Sequence, residues 1–292
     1  MKFNSHYESV HQSDRGVSIT SIDEVLGNNA LQNKLIKIEK MNQLSSSIKV
    51  YVQALPDLNP ATISEIRDRY DPTIKASGPY LEPTTGVTYM GQTRDGIANG
   101  WGKVITKQGD FVEGLFVDGS LDGFCRQLSR KGRYYEGGIK AGLKHGKGHL
   151  VDATRIRIEC LWERGQPTGP TKIFDKNNTL LFQGESLNGL MSGDNCYYKD
   201  KVRNFEYRGS FRKGKIHGFG VKKFGNKDTY EGNFIEGVEN GNGSLTLADG
   251  LVIKGSFANG KPHGDCRRIK PDGTTEKVIY VNGAMQPKIS FL

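Results

Sequence analysis

The chain is poor in the residues that build a thick apolar core. Hydrophobic residues make up 35% of its 292 positions, and its mean hydropathy is −0.55. A packed two-layer globule needs more than this, so the composition favours a thin structure whose residues lie mostly near water. No apolar run approaches the ~20 residues that span a bilayer. The opening MKFNSHYESVHQSDRG lacks the apolar centre of a secretory signal. Any meeting with a membrane is therefore expected to be peripheral and cytoplasmic. Cysteine is scarce too: four residues, none in a CxxC pair, so neither a disulfide framework nor a zinc motif is indicated. Cys125, Cys160 and Cys266 read as small residues where little room exists.

Glycine is abundant instead. Of 38, 34 lie from Tyr89 onward. The reason is a repeat. Tyr207–Gly220 reads YRGSFRKGKIHGFG, Tyr230–Gly243 reads YEGNFIEGVENGNG, and Ile253–Cys266 reads IKGSFANGKPHGDC. Eight copies begin at Tyr89, Val112, Tyr135, Ile158, Phe182, Tyr207, Tyr230 and Ile253, spaced by 23 residues with one extra in the fourth and two in the fifth. A half copy, Glu276–Gly283, follows with Tyr280 in its second aromatic slot. A glycine stands seven residues into every copy and another eleven in.

Aromatic-x-Gly-x-aromatic has period two, the mark of a β-strand with one distinguished face. The glycine seven residues in supplies the positive φ of a tight hairpin turn. A second strand carries Gly-x-Gly, where the missing side chains leave room for an aromatic ring expected from an adjacent copy. Later glycines, as in Lys131-Gly132 and Asp249-Gly250, turn the chain again. The predicted fold is mainly β: an elongated open antiparallel meander of about eight hairpins. At ~4.8 Å between strands it would extend ~80 Å.

These stretches resemble the MORN (membrane occupation and recognition nexus) family, whose signature is Tyr-x-Gly-x-Trp/Phe…Gly…His-Gly-x-Gly. The resemblance covers Tyr89 to about Gly283. It is specific in the first, third, sixth and seventh copies and loose in the fourth and fifth, where Ile158-Glu159-Cys160 and Asp194-Asn195-Cys196 depart from pattern. It implies an open twisted ribbon used as a scaffold. Members of the family occur in ciliary radial-spoke heads, at membrane junctions, in cortical rings of protists, and beside kinase or methyltransferase domains.

The net charge is +9. Residues 1–88 hold nine Lys/Arg against ten Asp/Glu, so the basicity belongs to the repeats. That favours an anionic partner: phosphoinositide head groups or acidic protein. Fourteen residues into their copies stand Lys103, Arg126, His149 and Lys172, and later Arg267, predicted to project from one face as a basic ladder. Arg212, Lys213, Lys215, Lys222 and Lys223, with Arg203, Arg208 and Lys227 nearby, concentrate charge around the sixth copy. Both sets are candidate anionic docking sites; ordinary solvated surface is the plainer reading. Interleaved aromatics are explained by the repeat, so nucleic acid is not indicated.

Other constellations carry little. Gly209–Lys215 and Gly255–Lys261 fit GxxxxGK, but the next residues, Ile216 and Pro262, lack the Mg²⁺-binding hydroxyl, and no helix follows. His145, His217 and His263 recur one per copy, too far apart for one metal. No catalytic residues, cofactor or metal ligands are assigned.

The predicted organisation is a flexible arm (1–20), a helical cap or docking region (21–76), the repeat ribbon (77–283) and a tail (284–292). Ser21 with Glu24 makes a capping box, and Leu31, Leu35, Ile38, Met41 and Leu44 form an apolar helical stripe, either packed on the first hairpins or offered to a partner. Asn59-Pro60 begins a second predicted helix. The expected function is a non-catalytic scaffold binding other proteins in a cytoskeletal, ciliary (axonemal) or cortical assembly. The first alternative is a peripheral membrane protein binding phosphoinositides. The second is a regulatory partner of a lipid kinase or methyltransferase in trans, since the chain ends nine residues after the half copy. The open edge and the closing KISFL offer a route to self-association.

Overall fold

The computed structural model describes residues 36–37, 76–81, 86–106 and 108–287, the first two stretches as backbone only. The described residues hold twenty strands and no helix. They are β1 (Ile36–Lys37), β2 (Ala76–Leu81), β3 (Thr88–Arg94), β4 (Ile97–Ile105), β5 (Phe111–Val117), β6 (Ser120–Leu128), β7 (Tyr134–Lys140), β8 (Leu143–Val151), β9 (Arg157–Glu163) and β10 (Gln166–Phe174). There follow β11 (Leu180–Leu187), β12 (Leu190–Asp200), β13 (Phe205–Arg212), β14 (Lys215–Phe224), β15 (Thr229–Ile235), β16 (Val238–Thr246), β17 (Val252–Ala258), β18 (Lys261–Ile269), β19 (Thr275–Val281) and β20 (Ala284–Met285). The chain divides between Gln166 and Pro167 into two compact units.

In the first unit, β1 pairs with β2, β2 with β3, and each strand with the next as far as β9, always antiparallel. In the second unit the same succession runs from β10 to β20. Each is an open meander, as the repeat predicts. The helical stripe Leu31, Leu35, Ile38, Met41 and Leu44 and the second predicted helix lie outside the described residues. Within that first stretch only Ile36–Lys37 are described; they are extended, opposite Leu81 and Tyr80.

The seventh copy shows how one hairpin is made. The register between β15 and β16 is regular from Thr229↔Thr246 to Gly232↔Gly243, then jumps to Phe234↔Glu239. Asn240–Asn242 therefore stand opposite Asn233 alone, a β-bulge that bends the hairpin. Gly241 sits in this bulge with φ +85°. The Tyr230 hydroxyl donates to the Asn233 carbonyl at 3.1 Å, at the residue the bulge removes from the ladder. Its ring lies over Gly243, where an added Cβ would come within 2.6 Å of Tyr230 Cε2. Tyr89, Tyr135 and Tyr207 donate likewise to the carbonyls of Gln92, Gly138 and Ser210. The ring over each glycine thus comes from the same copy, not from an adjacent one as the sequence suggested. The two glycines also do different work: the first permits the bulge, the second accommodates the ring.

Copies without tyrosine solve the same problem differently. Where Val112, Phe182 and Ile253 replace it, the second glycine is replaced by Cys125, Cys196 and Cys266, all buried. Cys266 Sγ points at the Ser256 carbonyl 3.8 Å away, the equivalent of Asn233. Cys196 Sγ lies 3.3 Å from the Ser192 carbonyl. The thiol occupies the space of the missing hydroxyl. In the fourth copy Ile158 is accompanied by Cys160 in the first-strand glycine position, facing Gly148.

Every copy turns between its strands on two successive left-handed residues, the pairing of a type I′ turn. Asp95-Gly96 have φ +51° and +79°, and the half copy ends on the same geometry at Asn282-Gly283. The turn glycine also ties neighbours together: Gly237 N donates to the Ile216 carbonyl and Gly260 N to that of Glu239, at 2.8 and 2.9 Å. One of the two extra residues of the fifth copy lies where the register shifts between Gly193 and Cys196: Asp194 and Asn195, both exposed, stand there in place of the single residue of the other copies.

The core is a row of rings set edge to face. In the second unit Phe182 meets Phe211, Phe211 meets Tyr207, Tyr207 meets Phe234, Phe234 meets Tyr230 and Tyr230 meets Phe257, with centroids 4.9–5.7 Å apart. Each tyrosine touches the phenylalanine of its own copy and that of the next. Such pairs contribute about 0.5–1.5 kcal/mol each beyond area burial, so the same contacts that build a copy also join copies. The first unit departs from the thin ribbon expected from composition. Phe111–Phe116 are buried without a break, on both faces of β5, with Phe111 and Leu128 forming a cluster on the face away from the tyrosines. The apolar run FVEGLFV carries that signal in the sequence.

Candidate protein-binding surface

In the first unit, one row on the face away from the tyrosines holds three of the basic residues singled out by the sequence, Lys103, Arg126 and His149. In the first unit Lys103, Glu113, Arg126, Glu136, His149 and Glu159 stand directly opposite one another on successive strands. The basic residues share a face, as their spacing predicts. The sequence reading missed the glutamates between them, one residue after the start of the second, third and fourth copies. Glu113 lies 3.6 Å from Lys103 Nζ and 3.5 Å from Arg126 Nη1, and Arg126 Nε lies 3.3 Å from Glu136. Arg126 and Glu113 are only 5% and 8% exposed. From Lys103 to Glu136 the row is an ion-pair ladder in which each cation has a carboxylate within 4 Å, although Arg126 Nε and Nη2 are buried without a hydrogen-bond partner. His149 is flanked by Glu136 and Glu159 and packs against Tyr134, ring centroids 5.5 Å apart. Burial lowers its pKa below the ordinary 6.5, against the opposing pull of the two glutamates.

The second unit is different. Lys172 is exposed opposite Gln183. Farther along, Arg267 stands between Lys254 on β17 and Lys277 on β19, each directly opposite it and all three exposed. The cations around the sixth copy do not form one patch. Lys213 belongs to the turn, with φ +50°. Lys215 pairs with Glu236 of the next copy, and Arg212 is exposed on the other side of the turn. Lys222 points to the tyrosine face: its ammonium bonds Glu239 at 2.7 Å and lies 4.7 Å from the Phe205 ring centroid and 4.8 Å from that of Phe224. Lys223 takes the opposite face, exposed. Arg203 lies 3.9 Å from Asp200, and the Arg208 guanidinium stacks 4.9 Å from the Tyr197 ring centroid.

A cleft of about 260 Å³ opens beside Phe224, Asp228, Glu239 and Leu245. Of its two carboxylates, Glu239 is paired with Lys222. Among the described residues, no three His, Cys, Asp or Glu gather as a metal site, and no helix is long and apolar enough to cross a membrane.

A family profile described as the MORN repeat matches residues 135–155, 207–229, 230–252 and 254–275. These are the third, sixth, seventh and eighth copies. No curated protein sequence matches the chain. Among solved structures, the TCP domain of SAS-4 (dCPAP) of Drosophila melanogaster, in complex with a proline-rich motif of Ana2 (dSTIL), is 14% identical, with TM-score 0.27, over 76% of this chain and 97% of that one. The TCP10 domain of Danio rerio CPAP is 13% identical, with TM-score 0.33, over 61% of this chain and 82% of that one.

Proposed function

We propose that this chain, a MORN-repeat protein, is a non-catalytic scaffold that binds other proteins, in a cytoskeletal, ciliary or cortical assembly of the cytoplasm. The observation that carries the reading is how the repeat spends its residues. The tyrosines, phenylalanines, glycines and cysteines of each copy are taken up in bending a hairpin and joining it to the next. They leave side chains on the other face, which differ from copy to copy. A surface that varies over a constant backbone suits recognition of partners rather than one chemical step. The matched charges of the first unit support protein over lipid as the partner of that row, because Lys103 and Arg126 already face carboxylates.

Native purification of the tagged full chain with crosslinking mass spectrometry tests the reading. Protein partners crosslinked to the repeats are expected. Recovery of the chain alone, together with sedimentation on anionic liposomes, would replace the scaffold reading by the phosphoinositide one.

A further inference from the structure

The second unit has a row of its own on the face away from the tyrosines, and unlike the alternating row of the first unit it closes on three like charges. Reading from β15, it runs Glu231, Ser244, Lys254, Arg267, Lys277 in direct register. Lys254, Arg267 and Lys277 are exposed, and none has an acidic partner within ion-pair distance among the described residues. The acid nearest in the row, Glu231, is separated from Lys254 by Ser244. Asp265, on the same face of β18, is two residues from Arg267 and forms no ion pair with it. Like charges directly opposite across strands are destabilising, so the sequence bears a penalty here that it avoids in the first unit. Exposed apolar side chains continue the same face of β19 beyond Lys277: Ile279, directly opposite Asp265, and Val281 are 53% and 46% exposed.

We infer that this face of β17–β19 docks the acidic side of an amphipathic helix from a partner protein. The inference rests on the scaffold reading and names the chemistry of the partner. The spacing selects a helix. The cations are separated by one strand interval, ~4.8 Å, in a line across the strands. Carboxylates at i, i+4 and i+7 of a helix are ~5–6 Å apart along one side, close to that interval. An extended peptide presents same-side residues every ~6.7 Å and falls out of step by the third. The apolar residues beside the acids would rest on Ile279 and Val281.

The test uses the full chain and two synthetic fluorescein-labelled helix-forming peptides of identical composition. One carries Glu at i, i+4 and i+7 beside leucines; the other spreads the same Glu around the helix. Fluorescence anisotropy should show at least tenfold tighter binding of the first. Arg267→Glu should weaken it at least tenfold, and Arg267→Gln less. Lys176→Glu, an equal charge change at an exposed site elsewhere in the second unit, should leave binding within twofold. The melting temperature of Arg267→Glu should equal or exceed that of the unaltered chain, because it places an acid between two lysines. Equal binding of both peptides, equal loss in Lys176→Glu, or a lower melting temperature in Arg267→Glu would overturn the inference. So would absent peptide binding alongside Arg267-dependent sedimentation on phosphoinositide vesicles, which would assign the cations to lipid. None of these results touches the crosslinking test, where contacts on other strands would still sustain the scaffold reading.

Discussion

The exchange of tyrosine for cysteine between copies can be tested inside one hairpin. In the seventh copy Tyr230 lies over Gly243; in the eighth, Ile253 is accompanied by Cys266. Tyr230→Ile removes the hydroxyl bond to Asn233, about 1 kcal/mol. It also removes the ring contacts with Phe234 and Phe257, about 0.5–1.5 kcal/mol each, for a total loss of about 3 kcal/mol. Gly243→Cys alone drives a Cβ into the tyrosine ring and should cost about 1–3 kcal/mol, the usual range of overpacking. Made together, the changes reproduce the eighth copy. The sulfur enters the space the ring has left, as Cys266 Sγ does beside Gly255 and the Ser256 carbonyl. The double variant should then lie within about 2 kcal/mol of the unaltered protein, a favourable coupling of at least about 2–4 kcal/mol. Urea denaturation of the full chain under reducing conditions gives all four corners of the cycle. If the double variant loses the sum of the two single losses, thiol and hydroxyl are not interchangeable and the account of the bulge is wrong.

Phe234→Ala should cost about 3–5 kcal/mol, because the ring is shared by Tyr207 and Tyr230; a loss below about 1 kcal/mol in urea denaturation would deny that the ring row couples copies. Ala141 turns the third copy at φ +47°. Ala141→Asn, which tolerates that conformation, should stabilise by about 0.5–1 kcal/mol, read as a raised denaturation midpoint. His149 has a folded pKa below its unfolded value, so the unfolded chain binds more protons between the two. Its contribution is present above about pH 6.5 and is lost as pH falls through the folded pKa. Thermal melts of the full chain and of His149→Gln between pH 8 and 5 should diverge in steepness, with the flatter profile in the variant. Arg267→Glu should gain about 0.2–1 kcal/mol for each lysine it now faces, measured by the same denaturation.

The architecture was legible because its signals are local and periodic. Alternation marked each first strand, and the glycine seven residues in marked each turn. What stayed hidden depends on who stands opposite whom. The ladder of the first unit required two columns to be set side by side: Lys103, Arg126 and His149 in one, Glu113, Glu136 and Glu159 in the other. Reading the basic column alone left out the carboxylates that stand between its members. The split of Lys222 from Lys223 follows from simple alternation and could have been foreseen. The ring over Gly243 was assigned to the wrong copy because a bulge cannot be seen in spacing, and that bulge folds a hairpin over its own glycine. Tyrosine and cysteine did covary within the one sequence. Cys125 and Cys266 stood in the right column, beside copies opening on Val112 and Ile253, but size alone does not say what a small residue replaces.

The bulge also absorbs length. One extra residue enters the fifth copy at that point, where Asp194 and Asn195 replace the single residue of the other copies, yet Cys196 still lies opposite Gly209 and the following hairpin keeps its register. A bend that swallows surplus residues frees a tandem array from strict metre. Copies can acquire stuttering insertions at this joint while their neighbours stay in phase, so units that a fixed-period search passes over can still be full members of the array.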